Sequence, residues 1–296
     1  MDNRCRIAIV GVGRYGRRLL DAFLKATPVD AVMLRKNSPN LEYVRECSPE
    51  TTIFHSLEDL LINGDFCAAI VATPIDTHFD IGMRMLASGK HLFIEKPPAR
   101  TAKECLEMFE AANRKGLVCH SGYKFLYNDC FKRLVMLTGK SDPLYVSLQW
   151  HKWGTFDEDI LLNLLSHELS LLYTLVSGYV NLELVTSPGG NRIILIAKQE
   201  GRIIGDIVVN RVSTYYSKMI YVHAPERTYL LANNENLYLL NDGKREFIME
   251  SKNDMLVDQA LDFLGAIKNK GKTLVDHQLA MQITRSIEGL KNSILT

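Results

Sequence analysis

The sequence has 296 residues, a length that suggests about two domains. Hydrophobic residues make up 47% of it, which is enough for a sizeable core. The 35 basic and 34 acidic side chains nearly cancel, so the charge gives no reason to expect a nucleic acid or a charged membrane surface as partner. No stretch is apolar enough to span a bilayer, and no apolar signal region precedes the first predicted strand, so we expect a cytoplasmic protein.

The cysteines show no C-x-x-C spacing, and several lie in apolar strand or helix patterns. We therefore expect all of them to be reduced thiols, as is usual in the cytosol. They are Cys5, Cys47, Cys67, Cys105, Cys119 and Cys130. No compact group of His, Cys and Asp has the spacing of metal ligands, so we predict no metal site.

A glycine-rich turn follows the first predicted strand, the apolar segment Ile7–Val10. Gly11, Gly13 and Gly16 have the G-x-G-x-x-G spacing, and a helical pattern over 17–25 follows. In dinucleotide-binding proteins these glycines permit the tight turn, the approach of backbone to a pyrophosphate and close helix–strand packing. We therefore predict a nucleotide-binding turn at the N-terminus of a helix. The alternative is an ordinary glycine-rich turn that binds nothing.

The next predicted strand, over 29–34, ends in two cations, Arg35 and Lys36. Where NAD binds, an acidic residue about 20 positions past the glycine turn takes the ribose hydroxyls. This strand ends without an acid, and two cations suit a 2′-phosphate, so we expect NADP in preference to NAD. The alternative is a pair of solvated charges at a strand end.

Short apolar strands and helices continue to alternate through the first half of the chain. The run over 66–72 is nearly all apolar, as in a strand buried on both faces. Asp76 is a predicted helix cap, and Thr101 with Glu104 forms a predicted capping box. This alternation predicts an α/β domain with a doubly wound parallel sheet over residues 1–122.

The pattern changes in the second half. A long apolar helix is predicted over 159–176, and several strand-like runs follow over 182–249. Asp242 and Gly243, flanked by strand residues, form a hairpin signal. We therefore predict an α+β domain with a mainly antiparallel sheet over residues 123–296.

Four segments in this order and spacing resemble the Gfo/Idh/MocA family, which includes glucose–fructose oxidoreductase and inositol dehydrogenase. They are the glycine turn, the run 71–78, the Glu95-Lys96-Pro97 motif and Asn163-x-x-x-His167 on the long helix. The resemblance implies a Rossmann domain followed by an open-faced sheet domain. It also implies hydride transfer between a nicotinamide and a sugar-like alcohol or ketone, in a homodimer or homotetramer.

The resemblance also assigns roles to residues. Lys96 and His167 match the catalytic lysine and histidine, while Asn163, Lys124 and Tyr123 fall at substrate-binding positions. The predicted cofactor-binding residues are Gly11, Gly13, Arg14, Tyr15, Gly16, Arg35, Lys36, Thr73, Pro74, His78, Glu95 and Lys96.

The chemistry of Lys96 and His167 suits this assignment. Oxidising an alcohol needs a base for the hydroxyl proton while hydride leaves carbon, and histidine titrates nearest neutral pH. A lysine ammonium stabilises the developing alkoxide. Asn163 lies four residues before His167, so the two are expected to share one face of the helix, where the amide holds a substrate hydroxyl or orients the imidazole.

Two departures from the family pattern affect the site. Asn163 replaces the usual aspartate, and an amide neither accepts a proton nor carries charge. Lys124 stands where relatives that oxidise polyols carry arginines, and Phe125 and Leu126 hint at a less polar substrate. The aromatics within 150–153 and the pair Tyr215 and Tyr216 are candidate sugar contacts, with core or interface packing as the alternative. Lys152 is a weaker candidate for a substrate phosphate.

Three functions therefore stay open. The leading hypothesis is an NADP-preferring oxidoreductase for a sugar-like or cyclic alcohol or ketone. The second keeps the fold but reduces an imine or a conjugated ketone. The third is a dinucleotide-binding sensor or scaffold without catalysis, which the asparagine at position 163 motivates.

Overall fold

The computed structural model describes residues 4–139, 143–186 and 190–295. Contacts group the chain into two compact units. The first contains the chain up to residue 123 together with 255–285, and the second contains 124–254 with the chain from 286 onward. The sequence predicts a single division after residue 122, whereas the structure returns a C-terminal segment to the first unit.

The first unit contains a six-stranded parallel sheet with helices between its strands. The strands are Ile7–Val10 (β1), Ala31–Met33 (β2), Thr52–Phe54 (β3), Ala68–Val71 (β4), His91–Ile94 (β5) and Cys119–Ser121 (β6). The helices are Arg14–Ala26 (α1), Leu41–Cys47 (α2), Leu57–Asn63 (α3), His78–Ala87 (α4) and Ala102–Arg114 (α5). The strand order β3-β2-β1-β4-β5-β6 confirms the predicted doubly wound sheet.

Local signals place several helix ends correctly. The Thr101 side chain accepts a hydrogen bond from the Glu104 N–H, and Glu104 reaches back to the cap, which confirms the capping box of α5. The prediction that Asp76 caps a helix is wrong. Residues Ile75–Thr77 form a 3₁₀ turn, α4 begins at His78, and the Asp76 carboxylate is instead ion-paired with Arg100.

A disulfide joins Cys5 and Cys67, so the prediction that all six cysteines are reduced is wrong for this pair. Cys5 precedes β1 and Cys67 precedes β4, and these neighbouring strands pair with Ile7 opposite Ala68. This register brings the two Cα atoms to 5.8 Å, within the range that a disulfide bridges. The other four cysteines are free thiols.

The second unit contains an eight-stranded sheet. Its strands are Tyr145–Trp153 (β7), Asn181–Thr186 (β8), Arg192–Gln199 (β9), Arg202–Asn210 (β10), Val212–His223 (β11), Thr228–Ala232 (β12), Asn236–Asn241 (β13) and Lys244–Glu250 (β14). The order is β14-β13-β12-β11-β7-β10-β9-β8. Every neighbouring pair is antiparallel except β7 with β10, which confirms the predicted mainly antiparallel sheet.

Helices Asp129–Thr138 (α6) and Ser166–Leu175 (α7) belong to the second unit. A π-helical segment, Leu161–Leu165, leads directly into α7, where the sequence predicts one continuous helix. The N–H of Ser166 reaches the carbonyl oxygen of Leu161, five residues back. Such π segments are frequent at functional sites, and this one carries Asn163 and ends two residues before His167.

Helices Met255–Asn269 (α8) and His277–Leu295 (α9) end the chain. α8 packs on the first unit through Phe263, which is fully buried. Its ring lies 6.5 Å from that of Phe23 and 5.7 Å from that of Phe93, in edge-to-face contacts. This aromatic packing explains why the C-terminal segment groups with the N-terminal sheet. In the part of the chain described, no helix combines the length and apolarity needed to cross a membrane.

Candidate active site

The loops that carry many of the predicted site residues leave the parallel sheet at one edge. β1, β4, β5 and β6 run in the same direction, so their carboxyl ends share that edge. The loops contain the glycine turn, Thr73 with Pro74, Glu95 with Lys96, and Tyr123. In open α/β sheets, ligands bind at this edge where the strand order reverses. The reversal here lies between β1 and β4, beside the glycine turn.

The glycine turn has the geometry that a pyrophosphate requires. Gly11 has a φ of +91°, a conformation that favours glycine. A Cβ at Gly16 would lie 2.2 Å from the Gly11 oxygen, whereas a Cβ at Gly13 would meet no described atom within 4 Å. The described first turn of α1 has neither a side-chain cap nor an acidic residue, so its N–H groups can donate to an anion. These residues therefore fit the diphosphate of a dinucleotide.

A surface pocket with a volume of about 490 Å³ lies next to this turn. Its lining residues are Arg14, Arg17, Arg18, Asp21, Asn40 and Tyr43. The Arg17 guanidinium lies 3.7 Å from the centre of the Tyr43 ring, and the Asn40 side chain donates to the Val12 oxygen at 2.7 Å. Of the lining residues, only Arg14 is among those predicted from the sequence. The recurrence of arginine at 14, 17 and 18 on one helix face was the available signal.

Arg35 and Lys36 lie close after β2, and both side chains are exposed. They therefore lie just past the strand whose end contacts the ribose in dinucleotide-binding folds. The described loop from Arg35 to Asn40 contains no carboxylate that would exclude a 2′-phosphate.

His78 connects two loops at the carboxyl edge of the sheet. Its Nδ1 lies 3.0 Å from the Pro97 oxygen and its Nε2 lies 2.8 Å from the Thr73 oxygen. The ring is 2% exposed. Burial lowers the pKa of His78, and the Lys96 charge adds to that effect, while the two carbonyl contacts oppose it. His78 thus fixes the Glu95-Lys96-Pro97 segment against the Thr73 loop.

Glu95 is buried directly before Lys96, which is half-buried. The Lys96 N–H donates to Glu95 Oε2 at 3.3 Å, and the following Lys96–Pro97 peptide bond is cis. A Cβ at Gly122 would lie 2.5 Å from Glu95 Oε1, so the end of β6 approaches this carboxylate through a glycine. The motif therefore presents Lys96 from a tightly packed turn.

Two tyrosines lie near the Glu95 carboxylate. Burial is the main cause that raises the pKa of Tyr15, and the Glu95 charge raises it further. Burial also raises the pKa of Tyr123, whose side chain is fully buried. Complete burial makes Tyr123 a core side chain of the first unit, in contrast to the half-buried Lys124 that follows it.

In the second unit, His167 lies near the start of α7 and is 5% exposed. Its ring centre lies 4.8 Å from that of Phe125 and 6.0 Å from that of Trp150. Phe125 and Trp150 also contact each other, with their ring centres 5.6 Å apart. These two rings are therefore packing neighbours of the imidazole, and both are buried.

Behind these rings lies an ion pair that the sequence analysis missed. The Lys218 ammonium on β11 donates to Glu168 Oε1 on α7, and both side chains are fully buried. Lys218 Nζ lies 4.1 Å from the centre of the Trp150 ring and 4.7 Å from that of Phe125. Burial lowers the pKa of Lys218, and the charge of Lys124 lowers it further.

The exposed aromatics of the second unit lie elsewhere. Trp153, Tyr215 and Tyr216 are 64%, 61% and 56% exposed, and Tyr215 stacks on His151 at 5.5 Å. Trp150 is thus a buried neighbour of His167, whereas the other candidates are on the surface. Within the residues described, no group of three or more His, Cys, Asp or Glu side chains could hold a metal ion.

The fold comprises a unit of the Rossmann type and a unit with a mainly antiparallel sheet. Residues 5–123 match the sequence model of the Gfo/Idh/MocA group, described as an oxidoreductase family with an NAD-binding Rossmann fold. Over residues 5–123 this chain is therefore similar to Gfo/Idh/MocA oxidoreductases, which confirms the resemblance indicated by the sequence motifs.

Sequence relatives are oxidoreductases among other proteins. A 1-carboxy-3-chloro-3,4-dihydroxycyclohexa-1,5-diene dehydrogenase of Comamonas testosteroni is 26% identical over 191 residues, 59% of this chain and 48% of the relative. A glycosyl hydrolase family 109 protein of Streptomyces niveus is 28% identical over 124 residues, 38% of this chain and 25% of the relative. The alignments thus span between a quarter and a half of these relatives.

Solved structures resemble the chain over nearly its whole length. UDP-N-acetylglucosamine 3-dehydrogenase GnnA from Acidithiobacillus ferrooxidans superposes with a TM-score of 0.87 at 20% identity, covering 98% of this chain and 97% of that chain. Levoglucosan dehydrogenase, in complex with NADH and levoglucosan, superposes with a TM-score of 0.85 at 14% identity, covering 99% and 98%. At these identities the likeness establishes the fold.

Proposed function

We propose that the chain is a nicotinamide-dependent oxidoreductase that exchanges hydride with a sugar-like or cyclic alcohol or ketone, and that it prefers NADP to NAD. The observation that carries this proposal is the glycine turn. The space at Gly13 lies next to the N-terminus of α1. Lys96 follows β5 at the same edge of the sheet. The match of residues 5–123 to an NAD-binding oxidoreductase family supports it.

In this proposal the first turn of α1, which includes Arg14 and Tyr15, binds the diphosphate. Arg35 and Lys36 bind the 2′-phosphate that distinguishes NADP. Thr73 and Pro74 line the dinucleotide, and His78 and Glu95 hold the loops that face it. The bound nicotinamide supplies the hydride acceptor or donor.

In this proposal, side chains of the protein transfer the hydroxyl proton and stabilise the alkoxide. During oxidation the His167 imidazole accepts the hydroxyl proton, and the Lys96 ammonium stabilises the oxygen as it becomes an alkoxide. In the reverse direction His167 returns the proton. Asn163 binds a substrate hydroxyl, and Lys124 binds a second polar group of the substrate. Asn163 cannot itself accept a proton, so the chemistry depends on Lys96 and His167.

Replacement of Lys96 by Met tests this assignment. We expect the Lys96→Met variant to lose turnover with a panel of sugars and ketones by about 10²-fold or more, with NADPH affinity nearly unchanged. The exposed Lys103 on α5 provides a matched control, because Lys103→Met removes the same charge from the same unit. Full activity of Lys96→Met would refute the role of Lys96.

A dinucleotide-binding sensor is the second candidate, favoured by the asparagine at position 163. In that case the wild-type protein binds NADPH without turnover, and Asn163→Asp produces activity. Robust turnover by the wild type would end this alternative. The imine or conjugated-ketone hypothesis rests on Asn163 and on the apolar pair Phe125 and Leu126. These two apolar side chains are 5% and 3% exposed and so face the interior of the second unit.

We also propose that the protein forms a homodimer or homotetramer through the sheet of the second unit. Antiparallel sheets often leave one face uncovered, and Trp153, Tyr215 and Tyr216 are more than half exposed. Light scattering measures the assembly directly. A strict monomer would contradict this proposal without affecting the assignment of the reaction.

A further inference from the structure

The buried ring pair beside His167 is surrounded by lysines. Lys124 Nζ lies 5.1 Å from the centre of the Phe125 ring, and Lys152 Nζ lies 6.0 Å from that of Trp150. Lys218 lies within 5 Å of both ring centres. We call these three lysines and two rings the lysine–aromatic cluster. Each of its three ammonium groups lies within 6.0 Å of the centre of a ring that contacts His167.

The lysines of the cluster are of two kinds. Lys218 is fully buried, and its charge is matched by Glu168. Lys124 and Lys152 are half-buried, so a ligand from solvent can reach them. The Lys124 charge acts unfavourably on the Lys218 ammonium. An anion bound at Lys124 would relieve this repulsion between like charges.

A buried hydrogen-bond donor lies in the same cluster. The indole Nε1 of Trp150 is buried, and no described residue accepts its hydrogen bond. The Trp150 side chain is only 8% exposed, and its ring is 6.0 Å from that of His167. Buried indole N–H groups normally have an acceptor, because an unmet donor costs the full desolvation penalty. A ligand oxygen at this position would supply that acceptor.

We propose that the substrate carries an anionic substituent, a carboxylate or a phosphate, that binds to Lys124, Lys152 and the Trp150 indole N–H beside His167. The proposal rests on the oxidoreductase function above and narrows its substrate to an acidic sugar or a similar acidic cyclic alcohol. The anion supplies acceptors to two ammonium groups and to the indole N–H. It also anchors the ring whose hydroxyl reacts at His167.

A binding experiment tests the site without any turnover. The chain has two tryptophans, so an ¹H–¹⁵N spectrum contains two indole N–H signals, and Trp153→Phe assigns that of Trp150. The probes are glucose, glucuronate and glucose 6-phosphate at equal ionic strength. We expect one or both acids to shift the Trp150 signal while glucose does not, and the acid that does so distinguishes carboxylate from phosphate. Failure of both acids, or an equal shift with glucose, would overturn the proposal.

Lysine variants connect the anion to the reaction. We expect Lys124→Met and Lys152→Met each to raise KM for the acidic sugar about tenfold or more while kcat changes little. Lys198→Met is the matched control, since Lys198 lies on the same sheet in a partly exposed pair with Glu183. Unchanged KM in both cluster variants would contradict the proposal. Absence of NADPH binding would instead remove the oxidoreductase function and leave the indole result to stand by itself.

Discussion

Lys218 on β11 is ion-paired with Glu168 on α7, and neither side chain is accessible to solvent. The pair therefore ties the sheet of the second unit to the helix that carries His167. Glu168 Oε2 has no hydrogen-bond partner among the described residues, so the Lys218 ammonium bonds to only one of the two carboxylate oxygens. Pairs of this kind are costly to break, because the remaining charge stays buried.

The first prediction concerns the stability of this pair. We expect Lys218→Met and Glu168→Gln each to lower the free energy of unfolding by about 3–5 kcal/mol. The double variant Glu168→Gln/Lys218→Met should lose less than the sum of the two single losses, since it leaves no buried charge. Urea denaturation measures all three. The Lys198→Met control, from a pair whose side chains are 32% and 55% exposed, should change stability by at most about 1 kcal/mol. Additive losses in the double variant would show that the two charges are not coupled.

The second prediction separates two glycines of the turn. Gly16→Ala places a Cβ 2.2 Å from the Gly11 oxygen, so the helix must shift, and we expect a loss of stability and of cofactor binding together. Gly13→Ala meets no described atom within 4 Å, so the fold should tolerate it. Its methyl group instead occupies the surface proposed for the diphosphate. We expect a normal melting temperature with weaker NADPH binding, and unchanged affinity would place the diphosphate elsewhere.

The third prediction concerns pH and His120, which is fully buried between Phe93 and Phe263. Burial lowers the pKa of His120 to about 3, from about 6.5 in an unfolded chain. Between these values the unfolded state binds more protons, so stability is present above pH 6.5 and falls as the pH decreases. The loss at pH 5 should be about 2 kcal/mol from this group.

Denaturation at several pH values tests the His120 effect. We expect the His120→Leu variant to have a smaller loss of stability between pH 6.5 and pH 5 than the wild type. The exposed His277 provides the control, and His277→Gln should retain the wild-type slope. An equal slope in all three proteins would mean that another group causes the acid sensitivity.

Local signals made much of the fold predictable. The capping box at Thr101 and the turn at Gly11 depend on residues within a few positions, so the sequence contains the full information. The strands β1 and β4 are continuous apolar runs, as expected when both faces of a sheet are covered. The three-residue β3 and seven-residue α2 escaped prediction because so few positions establish no clear period.

Features that depend on register or on distant partners were not predictable. The Cys5–Cys67 bridge requires β1 and β4 to be adjacent in a defined register. Lys218 and Glu168 are 50 residues apart, and nothing in a strand pattern marks a lysine as fully buried. The same holds for Trp150, whose role depends on its contact with His167. The family motif therefore identifies His167, whereas the residues that pack around it are seen only in the structure.

A fourth prediction concerns the choice of cofactor. We expect the double variant Arg35→Ala/Lys36→Ala to weaken NADPH binding about tenfold or more while NADH binding stays nearly constant, because the two cations are proposed to contact only the 2′-phosphate. Both side chains are exposed, so the fold should be unaffected. Equal losses for both nucleotides would indicate that these cations contact a part common to NADPH and NADH.

A fluorescence titration of the wild-type protein with NADPH and, in parallel, with NADH tests the central claim most directly. We expect saturable binding of both nucleotides with a clear preference for NADPH. Equal affinities would retain the nicotinamide-dependent function and contradict the assignment of Arg35 and Lys36. If neither nucleotide binds, the glycine turn is not a cofactor site, and the roles proposed for Lys96 and His167 lose their basis.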